Sequence, residues 1–299
     1  MHLKQLQTFV LVAELGSLSR AATTLDMAPS LVSRQVALLE AEWGDRLFER
    51  TGRGMALSDF GRRMLGEAKR VLDQVQRLES VAHESAGALT GTVHVGVLPS
   101  MSRPLLPRLI ADIRTQAPGV RLHVVEGFSG HLDEALASGL LDMMVVNRYG
   151  AAAQRGEDVL ATVQTFLTGR PGHAALSGPT VDFAALAGLP LVLPAMPNGM
   201  RSVLEQLSHK HGVALETVME VDTASAMKDV AMSGHAFTLL PLMALGEELK
   251  AGTLGASRVV APEIPRTIAL SLSTHRPLSR AARFVATRLR QLASEVVKD

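Results

Sequence analysis

The sequence predicts an α+β multidomain protein in three parts: a helical N-terminal head closed by a hairpin, one long linker helix, and a C-terminal two-lobed α/β domain. Three observations predict it. Apolar residues recur at helical spacing from Leu3 to about Trp43 and are followed by a glycine-containing hairpin around Thr51–Gly54. From about residue 59 to 86 the apolar period averages about 3.5 residues, that of a coiled coil. From Gly87 the texture turns Gly/Thr-rich and strands begin to alternate with helices, the pattern of an α/β region. The 299 residues, 47% of them hydrophobic, suffice for more than one core.

Each element has its own local cause. Leu3, Leu6, Val10 and Ala13 mark the first helix, with Phe9 beside them, and Gly16 ends it. Ser17 is placed to cap the second, where Leu18, Ala21, Ala22 and Leu25 form one narrow face whose alanines admit a crossing helix at close range. Asp26–Ala28 turn the chain. Pro29 suits the first turn of a third helix, since its missing N–H would have no partner there, and Gly44 stops that helix after Trp43. Two helices around a tight turn, followed by the hairpin of RLFERTGRGMALS, make a winged helix-turn-helix. Ser58 and Asp59 open the long helix, whose stripe Met64, Ala68, Val71, Val75, Leu78 and Ala82 requires a partner helix. Beyond it, strands are expected at 92–98, 121–126, 141–146, 159–168, 190–193, 215–221, 236–240 and 266–273. Helices are expected at 103–117, 130–138, 200–211, 224–233, 242–250 and 278–297, and the sheets are expected to be largely parallel. The domains are then 1–58, 59–89 and 90–299, the last with lobe 1 at about 90–162 and 267–299 and lobe 2 at about 163–266.

Chemistry gathers on the third helix. Val32, Val36 and Leu39 fall on one face, and Ser30, Ser33, Arg34 and Ala37 on another. Small residues let a helix approach the floor of a DNA major groove. An arginine there reaches guanine or a phosphate, and serines bond phosphates or base edges. Taken alone, the same face reads equally as solvated surface; the Ala-Ala helix before it and the wing after it favour DNA. Arg50 and Arg53 flank the hairpin tip, placed for the DNA backbone or a minor groove. Arg62 and Arg63 open the long helix and can add phosphate contacts. Bulk charge gives no help. The whole chain carries +1, and residues 1–60 hold Lys4, Arg20, Arg34, Arg46, Arg50 and Arg53 against Glu14, Asp26, Glu40, Glu42, Asp45, Glu49 and Asp59, a net −1. DNA binding must rest on where the arginines point.

The stretch LQTFVLVAELGSLSRAATTLDMAPSLVSRQVALLEAEWGDRLFERTGRGMALSDFG resembles the LysR-type transcriptional regulators, and the resemblance extends over the whole chain. Two departures stand out: Ala28-Pro29-Ser30 replaces the Ser-Gln-Pro common before the recognition helix, and Trp43, read here as packing, stands where a leucine is common. The resemblance implies that Pro29, Ser30, Ser33, Arg34, Arg50, Arg53 and Arg62 face DNA. It implies that the helix 59–87 pairs antiparallel with a second copy, through Met64, Ala68, Val71, Val75 and Leu78, and that such dimers pair again into a homotetramer. It also implies that the α/β remainder is periplasmic-binding-protein-like, holding an effector between its lobes.

The residues agree with that last implication. Ser100, Met101 and Ser102 follow the first strand, Phe128 and Ser129 the second, and Asn198, Arg201 and Thr223 open later helices. Free N–H groups at helix starts favour an anion, although any of these hydroxyls also reads as a plain cap. His235 reads as a loop residue or as a cleft residue. His209 and His211, two apart, do not face each other, so no metal is expected, and no cofactor either. The chain has no cysteine, no signal-peptide pattern and no long apolar run, and a cytoplasmic location is expected.

The expected function is that of a ligand-responsive transcription regulator. Its partners are double-stranded operator DNA, a small organic effector of anionic type, further copies of itself and, through recruitment, RNA polymerase. The alternatives are an effector-independent repressor or architectural protein with a vestigial cleft and, behind it, a solute-binding protein. An enzyme is not expected, because no catalytic motif is present.

Overall fold

In the computed structural model, which describes residues 1–51, 54–84, 89–149, 156–275 and 277–297, the head begins with α1 (Leu3–Leu15), α2 (Leu18–Thr24) and α3 (Pro29–Trp43). Gly16 and Gly44 close α1 and α3 at φ of 62° and 76°, a conformation that costs glycine little. The Ser17 hydroxyl accepts from the Arg20 N–H at 3.3 Å and caps α2. Phe9, Val12, Ala21, Ala22, Val32, Val36 and Leu39 make the buried core. Trp43 packs edge-on to Phe9 and Phe60, at 6.2 and 6.4 Å between ring centroids.

The wing is the antiparallel pair β1 (Phe48–Thr51) and β2 (Gly54–Leu57). Glu40 holds it to the end of α3 by accepting from the Leu47 N–H at 2.8 Å. The long helix α4 (Asp59–Glu84) starts on the Ser58 hydroxyl, which accepts from the Gly61 N–H at 2.9 Å. Its first turns lie on the head's own core.

The second unit spans residues 88–299. Its first lobe is a five-stranded sheet in the order β4 (Gly119–Glu126), β3 (Thr90–Val97), β5 (Met143–Tyr149), β13 (Arg266–Leu272), β6 (Asp158–Val163). Around it lie α5 (Pro99–Gln116), α6 (Ser129–Ala137) and α10 (Arg280–Val296). The second lobe holds β11 (Thr238–Leu240), β7 (Phe166–Gly169), β12 (Gly255–Val260) and β8 (Thr180–Asp182) in that order, and the parallel pair β10 (Glu216–Glu220) and β9 (Pro190–Leu193). Its helices are α7 (Gly199–His211), α8 (Ala224–Ser233) and the short α9 (Gly246–Lys250). The chain crosses between the lobes at Gln164–Thr165 and again at 261–265.

Several expectations give way here. The sheets are mixed: β13 runs antiparallel to both β5 and β6, and β7 to both β11 and β12. The single strand expected at 159–168 is two strands, broken at the crossover, so Val163 stays in the lobe 1 sheet, as does Arg266. Strands β8 and β12 were not anticipated, and the helix expected at 242–250 is a 3-10 turn followed by α9. Helix α5 begins at Pro99 rather than 103 and carries Pro104 and Pro107 inside it. Prolines argue against a helix interior, but Met101, Leu105, Leu109 and Ile113, four apart and fully buried, outweigh the two lost N–H bonds.

Candidate DNA-binding face and interlobe cleft

On α3, Val32, Val36 and Leu39 are buried while Pro29, Ser30, Ser33, Arg34 and Ala37 are exposed. Pro29 occupies the first turn, and Ala28 before it contributes no side-chain cap. The helix N-terminus, the positive end of its dipole, is therefore open to an anion. The Arg34 guanidinium makes no hydrogen bond or ion pair with any described residue. Ser33 and Ala37 also border a groove of about 620 Å³ against the wing residues Phe48, Glu49 and Met55. Arg62 is less free, because it donates to the Leu57 carbonyl at 2.8 Å and pairs with Asp59. Arg53 and the side chain of Arg50 lie outside the described residues.

The dimerisation stripe needs correction at its start. Ala68 is buried in the head's own core and Met64 packs against it, because the first turns of α4 cover α1. Val71 and Leu78 are exposed, Leu78 by 71%, and Val75 is half-buried.

Between the lobes lies a cleft of about 50 Å³, bordered by the first residues of four helices: Pro99 and Ser100 of α5, Ser129 of α6, Gly199 of α7 and Ala224 of α8. Ser100, Phe128, Ser129 and Asn198 line it as expected from the sequence. Ser129 is partly committed: its hydroxyl donates to the Asn147 carbonyl at 3.1 Å and accepts from the Asn147 N–H at 3.2 Å. Asn198 caps α7, accepting from the Met200 and Arg201 N–H groups at 3.0 and 3.3 Å.

Four expected contacts are absent from the lining. The Met101 side chain lies in the lobe 1 core, and Ser102, also buried, donates to the Leu98 carbonyl at 3.1 Å. With the helix starting at Pro99, both positions turn inward. Arg201 pairs with Glu205 at 2.6 Å and lies 3.4 Å from Glu220. Thr223 is exposed and caps α8. His235 is exposed and does not border the cleft.

The cleft also gathers residues that the sequence reading did not select: Asn147 and Tyr149 at the end of β5, and Arg266 at the start of β13. Arg266 is only 3% exposed. Its Nη2 donates to Thr165 Oγ1 at 3.0 Å and approaches Met200 Sδ at 3.5 Å, and its guanidinium lies 5.2 Å from the Tyr149 ring centroid. Among the described residues no carboxylate pairs with it, and its Nε–H has no acceptor. Burial pulls Arg266 below the ordinary arginine value, opposed by Tyr149. Burial pushes the Tyr149 hydroxyl up, opposed by the Arg266 charge and a hydrogen bond with Asn147. No short sequence motif marks these residues, since pairing of β5 with β13 brings them together across more than a hundred positions.

A winged helix-turn-helix head joined to a two-lobed α/β domain with an interlobe cleft defines a DNA-binding regulator with an effector-binding domain. Family comparison makes the assignment specific. The model of the LysR substrate binding domain matches residues 86–294, and that of the bacterial regulatory helix-turn-helix protein, lysR family, matches 3–62. The chain belongs to the LysR family of transcription regulators. It is 27% identical over 300 residues to the nitrogen assimilation regulatory protein nac of Escherichia coli strain K12, covering 100% of this chain and 97% of that protein. It is 30% identical over 267 residues to a probable hydrogen peroxide-inducible genes activator of Mycobacterium avium, covering 89% and 86%. Among solved structures, full-length CbnR in complex with its target DNA shares the fold, with a TM-score of 0.71 at 20% identity over 99% of this chain and 100% of that one. A Corynebacterium glutamicum OxyR mutant does so with a TM-score of 0.61 at 24% identity over 99% and 93%. No described helix is long and apolar enough to cross a membrane, and no described group of three metal-ligating side chains could hold a metal ion.

Proposed function

We propose that this protein is a ligand-responsive regulator that binds double-stranded operator DNA as a dimer of dimers and answers to a small organic anion in its interlobe cleft. The observation that carries the reading is the face of α3, where Ser30, Ser33 and Arg34, which has no partner among the described residues, stand exposed opposite buried Val32, Val36 and Leu39. That helix enters the major groove, with its N-terminus on a phosphate and Arg34 on a base edge or a second phosphate. Two heads paired through α4 address two half-sites, and a second pairing gives the tetramer. Effector binding shifts the balance between arrangements of lobes and subunits in proportion to its preference for one of them. The shift changes the DNA geometry offered to RNA polymerase. A cytoplasmic, non-enzymatic role follows.

The test is Arg34→Ala against wild type on operator DNA. Loss of the specific footprint is expected, with the oligomer intact by sedimentation; an unchanged footprint overturns the assignment of α3.

The narrowness of the cleft supports a second reading. About 50 Å³ is far below the roughly 300 Å³ at which drug-sized ligand sites begin, as suits an effector-independent repressor with a vestigial cleft. Thermal-shift screening of small organic acids decides between the two, because a ligand of the folded state raises its melting temperature.

A further inference from the structure

Arg266 poses a problem of charge. A buried arginine is ordinarily held by a carboxylate, because taking its charge out of water is costly. Here the residue is only 3% exposed, its guanidinium has one thioether, one hydroxyl and an aromatic ring as neighbours, and no described carboxylate pairs with it. Its Nε–H has no acceptor among the described residues, at the same cleft that the N-termini of α5, α6, α7 and α8 border. Each of these helices is at least nine residues long and adds partial positive charge at its start. Positive potential converges on the cleft from five directions. A planar arginine fork fits a carboxylate better than a spherical ion.

Size and polarity narrow the ligand further. A volume of about 50 Å³ accepts about four waters, so the solute that replaces them is very small. Asn147 Oδ1, buried at the same cleft, has no donor among the described residues. An acceptor beside a carboxylate-binding fork calls for a ligand with a donor next to its carboxyl group.

We infer that Arg266 anchors the effector, and that the effector is a small monocarboxylate carrying a hydrogen-bond donor beside the carboxyl, with Asn147 Oδ1 taking that donor. The inference rests on the cleft being the effector site. It also explains how such a small ligand acts on the domain. Thr165, which accepts from Arg266, donates to the Ile264 carbonyl at 2.8 Å, so the arginine is tied to both chain crossovers between the lobes. Met200, its other neighbour, begins the second lobe's α7, whereas Tyr149 belongs to the first lobe. Neutralising this one charge acts directly on the hinge.

The experiment is calorimetric titration and thermal unfolding of the full chain with sodium glycolate and with its neutral counterpart glycolamide, at matched ionic strength. Wild type is expected to bind glycolate and to discriminate against glycolamide. Arg266→Gln, with folding checked by circular dichroism, is expected to weaken glycolate by about ten- to hundredfold, the loss of a charged hydrogen-bonded pair. If R266Q does not fold, Arg266→Lys serves in its place: it keeps the charge without the fork and is expected to bind more weakly while still preferring glycolate to glycolamide. Failure of wild type to bind glycolate, or equal binding of glycolamide, overturns the ligand class. Ser100→Leu, which crowds the cleft but keeps the guanidinium, separates the two readings. Glycolate binding that survives R266Q but is lost in S100L overturns the anchor and leaves the effector cleft standing. Binding that survives both variants lies elsewhere and overturns both.

Discussion

Gly61 lies in the first turn of α4 against the backbone of Leu47, and a Cβ built there would sit 2.1 Å from the Leu47 carbonyl oxygen. The two nearest atoms are both Leu47 backbone, which cannot swing aside as a side chain would. Gly61→Ala is therefore expected to destabilise the head by about 1–3 kcal/mol, the usual cost of overpacking. Gly66, five residues on in the same helix, has no described atom outside its own helix backbone within 4 Å of its Cβ position. Gly66→Ala is expected to stabilise by about 0.5–1 kcal/mol, through helix propensity. Urea unfolding of both variants checks the opposite signs. The same scale separates what the sequence discloses from what it hides. The buried face of α3 follows from spacing alone, because a helix turns Val32, Val36 and Leu39 to one side whatever surrounds it. Met101 and Ser102 could not be placed that way: moving the start of α5 back to Pro99 rotates them from the mouth of the cleft into the wall behind it. Arg266 carries no local mark of burial. An isolated arginine at a strand start reads as surface until β5 and β13 pair and close the first lobe over it.

At the scale of the element, α4 serves two roles along one stripe. Its N-terminal half covers the head's core through Met64, Leu65 and Ala68. Further along, Val71 and Leu78 stand exposed on the same repeat. A heptad pattern reports which face is apolar, not which body covers it, so the periodicity was legible and the change of partner was not. The exposed segment is the place we propose for a second copy. Leu78→Glu is expected to leave the far-UV circular dichroism and the head's folding unchanged while shifting sedimentation toward smaller species. Ala68→Glu, which puts a charge into the head's own core, is expected to unfold the head instead. Unaltered sedimentation of L78E would remove the dimerisation role of this face.

For the whole effector unit, the tie between its lobes at α9 sets a pH dependence. Glu248 of the second lobe lies 3.0 Å from Arg103 of α5 in the first lobe and 2.6 Å from Lys228 of α8, which also donates to the Ala244 carbonyl at 3.2 Å. Arg103 is exposed and contributes little by itself. Lys228 is buried, and Glu248 is its described carboxylate partner. Burial pushes the Glu248 carboxyl up, but the Lys228 hydrogen bond and the Lys228 and Arg103 charges outweigh it, so the carboxyl is held below the ordinary glutamate value. A carboxyl depressed in the folded state stabilises it above the unfolded-chain value of about 4.3 and loses that contribution as pH falls through the folded value. Glu248→Gln removes the ion pair but leaves Lys228 its bond to the Ala244 carbonyl, and is expected to cost about 1–3 kcal/mol at pH 7, the range for a hydrogen bond to a charged group. As pH falls past the unfolded-chain value and on through the lower folded-state value, the wild-type carboxyl becomes neutral as well, and the two stabilities converge. Urea unfolding of both proteins at pH 7 and again near pH 3.5 measures this. A gap that stays constant across that interval would mean that Glu248 acts by packing rather than by charge, and that the lobes are held together at this point without the ion pair.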